Sequence, residues 1–324
     1  MSKIIIRQGG VDDIDSILEL FKREIPQHWN KKPKDFWIWI NQKLSYKNSI
    51  ISLAECNDKI IGYYCIVPKL LKIGGELIEA GMGIHAVIDS DYKKKVSIMD
   101  VTNLAYEIAK KSNIKIIYGF PNDNYYLIQE KLERWDKVDR YKSIETKILN
   151  KFNTQYKLVN IRDFFNQFVN LDTSLNELVS IEKHILYYLE RYINHPHSHY
   201  ESFFVIDNDT WGGDKKTGGF LVTKIYNSEK GHIIDFILND DNDIGDIIKL
   251  SNNYFYDNNI KNLSVWPTSV KFKKYIYDIY DNCKDGFNTN FYVKFLDESF
   301  KTKYKDKVTN INNWILPMGE SDAF

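Results

Sequence analysis

Apolar positions along the chain follow two rhythms, one suited to strands and one to helices. Ile4-Ile5-Ile6 is a short apolar run ended by Arg7 and predicts a strand. Val11 to Ile25 then spaces Ile14, Ile17, Leu18, Leu20, Phe21 and Ile25 as one helical face, with Asp12 and Asp13 favourable in the first turn. Phe36 to Ile40 forms a second aromatic segment, and Ile50 to Cys56 and Ile60 to Val67 flank Asn57-Asp58-Lys59 as a hairpin. Ile84 to Ile88 is a strand, Asp89 to Lys95 a polar bend, and Ser97 to Ser112 a helix. Ile114 to Phe120 is strand-like, Pro121-Asn122-Asp123 punctuates it, and Tyr125 to Leu132 predicts a helix.

This order returns in the second half. Phe203 to Ile206 and Gly219 to Val222 flank a turn around Trp211-Gly212-Gly213-Asp214 as another hairpin. His232 to Leu238, Ile244 to Tyr256, Leu263 to Trp266 and Val270 to Tyr280 then read as strand, helix, strand, helix. Ile84 to Pro121 and Ile233 to Pro267 are of similar length, and each ends in a strand followed by proline. The pattern predicts an α/β fold with a mixed sheet, built from two copies of one unit over residues 1–150 and 151–324, the second copy degenerate. The seam falls near residues 148–158, where Asn150 to Thr154 is polar and lacks periodicity.

Composition narrows the function classes. The 324 residues carry 44 basic and 44 acidic side chains, so no net field recruits nucleic acid or an anionic membrane, and neither is expected as a partner. With 22 Tyr, 18 Phe and 7 Trp the chain can fill two cores. Cys56, Cys65 and Cys283 form neither a disulfide framework nor a zinc spacing, which fits a reducing cytoplasm. Ile4 to Ile6 is too short for a signal-peptide core, and no run approaches the roughly 20 apolar residues of a spanning helix.

The element order, with Ile6-Arg7 before Asp12-Asp13 and Gly62-Tyr63-Tyr64 in the hairpin, resembles the GCN5-related N-acetyltransferases. Tyr118 to Asn122, Tyr188 to Pro196 and the ending Gly319 to Phe324 resemble tandem members among bacterial surface-polysaccharide enzymes, including N-acyltransferases acting on nucleotide-linked amino sugars. The resemblance implies an acyl-CoA co-substrate, acetyl-CoA or a short hydroxyacyl-CoA, and a small nucleotide-sugar acceptor. It implies direct attack of the amine on the thioester in a ternary complex.

Carried onto this chain, it puts pantetheine between Ile84–Ile88 and Ile114–Phe120. The pyrophosphate would lie at Lys93, Lys94, Lys95, Val96, Ser97 and Ile98, where a helix start offers free N–H groups. The family loop is Arg/Gln-x-x-Gly-x-Gly/Ala, and here it has no glycine. His85 or Glu79 is the candidate base, and Tyr125 or Tyr126, after Asn122, the candidate proton donor to sulfur. A histidine in an apolar strand is otherwise a core residue. Backbone amides at Ala86, Val87 and Ile88 are candidates for polarising the thioester carbonyl.

In the second half the corresponding loop, Asn239 to Asp243, is acidic and repels a pyrophosphate, so that copy is expected to serve the acceptor. His195, Tyr200 and Trp266 are its candidate contacts, with His197 and His199 nearby. The His195-Pro196-His197-Ser198-His199 cluster lacks accompanying ligand spacing, and acyl transfer from CoA needs no metal, so none is expected. Two other function classes remain. One is a peptidoglycan-type transferase fed by aminoacyl-tRNA, disfavoured by the neutral charge. The other is a catalytically silent binding module.

Overall fold

The two rhythms become, in chain order, β1 (Ile4–Gln8), α1 (Ile14–Glu24), α2 (Pro33–Ile38), β2 (Ile50–Cys56), β3 (Lys59–Ile73), β4 (Glu76–Ile88), α3 (Ile98–Lys111), β5 (Ile116–Gly119), α4 (Tyr126–Lys131) and β6 (Asp136–Lys147). There follow β7 (Tyr156–Asn160), β8 (Val179–Ile181), α5 (Ile185–Tyr188), β9 (Glu201–Asp207), β10 (Thr217–Asn227), β11 (Lys230–Leu238), α6 (Ile244–Asp257), β12 (Asn262–Val265), α7 (Val270–Ile279), β13 (Lys284–Phe295), α8 (Glu298–Val308) and β14 (Trp314–Ile315). The computed structural model describes residues 3–26, 33–164, 178–183, 185–207, 217–238 and 244–321. The Trp211–Asp214 turn, the acidic Asn239–Asp243 loop and the last three residues of the Gly319–Phe324 ending lie outside them. No helix among the described residues is long and apolar enough to cross a membrane.

Two compact units interleave along the chain. The first is Met1–Asp139, His195–His197 and Asn290–Ile311; the second is Arg140–Asn194, Ser198–Thr289 and Asn312–Phe324. Residues 140–150 therefore group with the second unit and Asn290–Ile311 with the first, unlike a single cut at residue 150. Strand pairing is the cause. Ile144 to Lys147 of β6 pair with Val265 to Asn262 of β12, whereas Tyr292 to Phe295 of β13 pair with Gly119 to Ile116 of β5.

In the first unit the strands run β1-β2-β3-β4-β5-β13, all neighbours antiparallel except β4 with β5. β2 and β3 are buried along nearly their whole length, so both read as continuous apolar runs. Asn57 and Asp58 turn between them with φ of +50° and +59°, the primed hairpin geometry that short polar side chains tolerate. α3 covers the sheet through Val101, Ala105 and Ala109, which share one core with Ala54, Ile66, Ile117 and Trp135.

In the second unit the order is β6-β12-β11-β10-β9-β7, with β11 and β12 parallel. Ile247, Ile248 and Phe255 of α6 and Phe272 and Ile276 of α7 pack with Leu221, Ile233, Leu263 and Val265. Hairpin, strand, helix, parallel strand, helix is thus the order in each unit.

Candidate functional site

The parallel contact between β4 and β5 is short. Ala80, Gly81 and Met82 pair with Ile116, Ile117 and Tyr118; β4 then runs on to Ile88 with no strand paired to that edge among the described residues. Main-chain groups along such an edge need partners, so the opening is suited to a ligand carrying amides or a polarisable carbonyl. Ala86, Val87 and Ile88 lie on this stretch. On its other edge the register with β3 shifts, Cys65 facing Ile84 and Tyr63 facing Val87, so that His85 and Ala86 together oppose Tyr64. The extra residue is a β-bulge, a device that re-aims a side chain at a site. His85 takes up the distortion with φ of +55°, a region that costs a residue with a Cβ about 1–2 kcal/mol. Its half-buried imidazole meets Phe21 edge-on, ring centres 5.9 Å apart.

Two glycines bring the backbones together where the strands part. A Cβ on Gly83 would collide with the Tyr64 hydroxyl, and one on Gly119 would meet the Gly83 carbonyl oxygen at 3.3 Å and the Trp135 ring at 3.5 Å. At the far end of β4 the buried Asp89 accepts from Arg23 at 3.2 Å, Lys59 at 2.9 Å and the Asp91 amide at 3.1 Å. Burial alone would raise its pKa, but Lys59, that amide and Arg23 hold the carboxyl below the usual range. The strand end is thereby fixed.

Glu79 sits before the opening. Its carboxylate is held by Lys47 Nζ at 2.7 and 2.8 Å and by the Tyr46 hydroxyl at 3.1 Å. His85, by contrast, lies on the unpaired stretch itself. Beyond β5, Asn122 Oδ1 accepts from the amides of Asn124 and Tyr125 at 3.0 Å each, and the Asn122 carbonyl accepts from Tyr125 and Tyr126, so Asn122 sets the start of α4. Tyr125 donates its hydroxyl to Glu133 Oε1 at 2.7 Å.

Glu133, which the sequence pattern did not single out, is 5% exposed and accepts three further bonds. They come from Thr102 at 3.1 Å, Tyr106 at 2.7 Å and the Trp135 indole at 3.0 Å. Burial first, then the Glu133 charge, pushes the Tyr125 phenol well above its ordinary range, so it stays protonated. Tyr126 packs by its ring beside Tyr292, centres 6.5 Å apart.

The lysine bend is ordered by its own backbone. Tyr92 O accepts from the amides of Lys95 and Val96 at 2.8 and 3.0 Å. Val96, the residue in place of a glycine, is 5% exposed and belongs to the core, so its side chain does not cover the outer face. Lys93, Lys94 and Lys95 are exposed. Ser97 caps α3 by accepting from Met99, and Asp100 Oδ2 accepts from the Ser97 amide at 3.0 Å, completing a capping box before Ile98. A diphosphate placed at this bend would meet three exposed lysines and a helix N-terminus, with the Asp100 carboxylate as the opposing charge.

His195 and His197 group with the first unit. His195 lies 4.3 Å from Trp39 between ring centres, His197 stacks on Phe36 at 5.1 Å, and His195 Nδ1 accepts the His197 amide at 3.1 Å. That bond leaves the imidazole proton on Nε2. Tyr200 and Trp266 are in the second unit's interior, Tyr200 edge-on to Tyr192 at 5.3 Å and Trp266 stacked on Tyr141 at 5.0 Å. Among the described residues no cluster of three or more His, Cys, Asp or Glu side chains is placed to hold a metal ion.

The second unit has its own divergence. β11 and β12 pair only to Ile233 and Val265, and β11 continues to Leu238. Here a buried charge cluster occupies the parting. Asp235 Oδ2 accepts from Lys183 at 2.6 Å and from the Tyr192 hydroxyl at 2.6 Å, while Oδ1 accepts the Phe236 amide at 2.8 Å. Lys183 also pairs with Glu320 at 2.9 Å, and Glu320 accepts from Tyr187 at 2.8 Å. Burial outweighs the pull of Lys183 and, with Glu320 adding to it, holds the Asp235 carboxyl above its usual range. Burial would lower Lys183, yet the two carboxylates keep it raised and charged. Lys183, Asp235 and Glu320 carry no sequence motif; only their position on converging elements brings them together.

No family model matches the chain, and no curated protein is similar to it in sequence. Solved structures are similar in fold. A probable N-acyltransferase from Enterococcus faecalis V583 superposes with a TM-score of 0.71 at 8% identity, over 92% of this chain and 73% of that one. A GCN5-related N-acetyltransferase from Anabaena variabilis gives 0.66 at 10% identity, over 91% and 74%. The N-myristoyltransferase of Saccharomyces cerevisiae with bound myristoyl-CoA gives 0.58 at 10% identity, over 91% and 83%. At such identities the likeness is one of architecture: the chain has the mixed α/β fold seen in GCN5-related N-acetyltransferases.

Proposed function

We propose that the protein is an N-acyltransferase that takes its acyl group from acyl-CoA, acetyl-CoA or a short hydroxyacyl-CoA, in the first unit. The observation that carries this reading is the early end of β4–β5 pairing at Met82 and Tyr118, with the bulge at His85 on the unpaired stretch. A thioester arm lying along Gly83 to Ile88 would find main-chain donors for its carbonyl as negative charge develops there. His85 is assigned as base, because the Glu79 carboxylate is already bonded to Lys47 and Tyr46. The neutral amine attacks the thioester carbon after His85 takes its proton, the C–S bond breaks, and the sulfur leaves as thiolate or thiol. Tyr126 is assigned as proton donor, or Tyr125, whose hydroxyl would first leave Glu133. The diphosphate is assigned to the Lys93–Lys95 bend.

The acceptor is proposed to be the amine of a nucleotide-linked amino sugar. The Tyr188–Pro196 motif supports this, as does the aromatic group of Trp39, Phe36, His195 and His197, whose rings suit stacking against a base or sugar. Tyr200 and Trp266 then act by packing rather than by contact. Calorimetry with CoA and acetyl-CoA tests the donor assignment. Saturable binding that weakens several-fold in Lys93→Glu and Lys95→Glu supports it; no heat with either ligand, or binding indifferent to both substitutions, refutes it. Among amine acceptors tried with acetyl-CoA, a nucleotide amino sugar should release CoA thiol fastest.

A further inference from the structure

In the first unit one side chain stands across the point where β4 and β5 part. Met82 and Tyr118 are the last paired residues of the two strands, and Gly83 and Gly119 follow them. The Trp135 ring covers both glycines: a Cβ on Gly83 would lie 3.3 Å from the ring edge, and one on Gly119 3.5 Å. Trp135 is 3% exposed, and its indole N–H donates to Glu133 at 3.0 Å and to the Tyr106 hydroxyl at 3.1 Å. The ring is therefore pinned, because swinging it aside would take a donor from a buried carboxylate.

Other aromatic rings complete the closure. The Tyr64 hydroxyl stands over Gly83, and the Tyr64 ring is buried edge-on to Tyr106, centres 5.9 Å apart. Successive residues of a strand face opposite sides, so Tyr118 lies on the other face of the sheet from the Gly119 position that Trp135 covers. There Tyr118 is buried with Phe291, ring centres 6.4 Å apart, and Phe291 stacks on Phe120 at 5.2 Å. The parting is thus closed at its narrow end on both faces.

An arm whose diphosphate rests at Lys93 to Lys95 runs from the Ile88 end of β4 towards Gly83. Whatever extends past its sulfur meets the edge of Trp135. We propose that Trp135 sets the length of acyl group the site accepts, admitting acetyl and comparably short chains and excluding those of fatty acyl-CoA. A longer chain must either displace the indole from Glu133 or stay in water, where its methylenes gain nothing. This assignment rests on acyl-CoA binding in the first unit.

Calorimetry on the full chain with CoA, acetyl-CoA and octanoyl-CoA tests it, with Trp135→Leu and Trp135→Ala beside the unsubstituted protein. The unsubstituted protein should bind octanoyl-CoA no more tightly than CoA, a comparison that needs no variant to fold. In both variants octanoyl-CoA should bind at least about tenfold more tightly than CoA, since about two methylenes entering the vacated space suffice for that factor. Affinity for CoA itself, which carries no acyl group, should be the same in all three proteins, so that a merely structural role of Trp135 would not produce the change in ratio. Octanoyl-CoA preferred to CoA by the unsubstituted protein, or no gain in a variant that binds CoA normally, would overturn the length limit and leave the donor assignment standing. Failure of the unsubstituted protein to bind CoA would overturn both.

Discussion

His85 allows stability and chemistry to be separated at one position. Its φ of +55° is a conformation that a Cβ makes costly, by about 1–2 kcal/mol, and that glycine adopts freely. Comparing His85→Gly with His85→Ala isolates that cost, because both variants lose the imidazole and its contact with Phe21. Glycine's greater freedom in the unfolded chain offsets about 0.4–1 kcal/mol of the gain. The glycine variant should therefore be the more stable of the two by about 0.5–1 kcal/mol, or about 1–4 °C in Tm. Urea denaturation of the two proteins side by side measures it, at equal slope. Turnover with acetyl-CoA should fall at least a hundredfold in both, since each lacks the proposed base. If alanine proved as stable as glycine, the bulge would carry no strain and the strand would not be shaped as described. If either variant kept its turnover, His85 would not be the base, whatever its backbone does.

Three further outcomes are expected. Lys183→Met leaves Asp235 and Glu320 buried without their cation and should cost about 3–5 kcal/mol at neutral pH. The deficit should shrink as pH falls, because the Asp235 carboxyl, held above its usual range, takes up a proton in the folded state before it does in the unfolded chain; a pH-independent deficit in thermal unfolding would contradict the cluster's charge state. His232 is pushed down to about 4 by burial and then by Lys230 and Lys224, so it stays neutral when folded. The stability it lends above its unfolded pKa near 6.5 should be lost as pH falls to about 4, up to about 3 kcal/mol, and His232→Leu should flatten that slope in acid titrations followed by circular dichroism. Asp100→Asn should loosen the α3 cap by about 0.5–1 kcal/mol yet tighten CoA binding a few-fold by calorimetry; unchanged affinity would place the diphosphate elsewhere.

Much of the first unit was legible because its elements obey local rules. The Asn57-Asp58 turn, the Ser97 start of α3 and the Asn122 turn before α4 each follow from side chains that satisfy nearby amides. β6 and β13 were not legible. Their buried positions are irregular and their partners lie far along the chain, so the strands that distribute residues 140–150 and Asn290–Ile311 between the units leave no periodic trace. The site divided in the same way. His85 could be suspected only through the family resemblance, since a histidine in an apolar strand is by itself a core residue, and its left-handed backbone depends on register with β3. Glu133 draws its four donors from α3, the α4 entry and the turn before β6, and such a convergence has no spacing to read.

The two partings of parallel strands differ in a way that bears on which unit does chemistry. In the second unit the amide of Phe236, on the stretch beyond the last β12 pair, is already satisfied by the Asp235 carboxylate, itself held by Lys183 and Tyr192. A thioester carbonyl brought there would have to displace a charged acceptor from its donor, and the oxyanion that forms would face a fixed negative charge. Stabilisation of that transition state is therefore opposed before any substrate binds. In the first unit the corresponding stretch, Gly83 to Ile88, carries no acidic side chain, and the nearest carboxylates in sequence, Glu79 and Asp89, are both bound to lysine. Acyl transfer and the fixed Asp235 cluster thus make opposed electrostatic demands on similar strand geometry, which is the physical ground for assigning chemistry to the first unit.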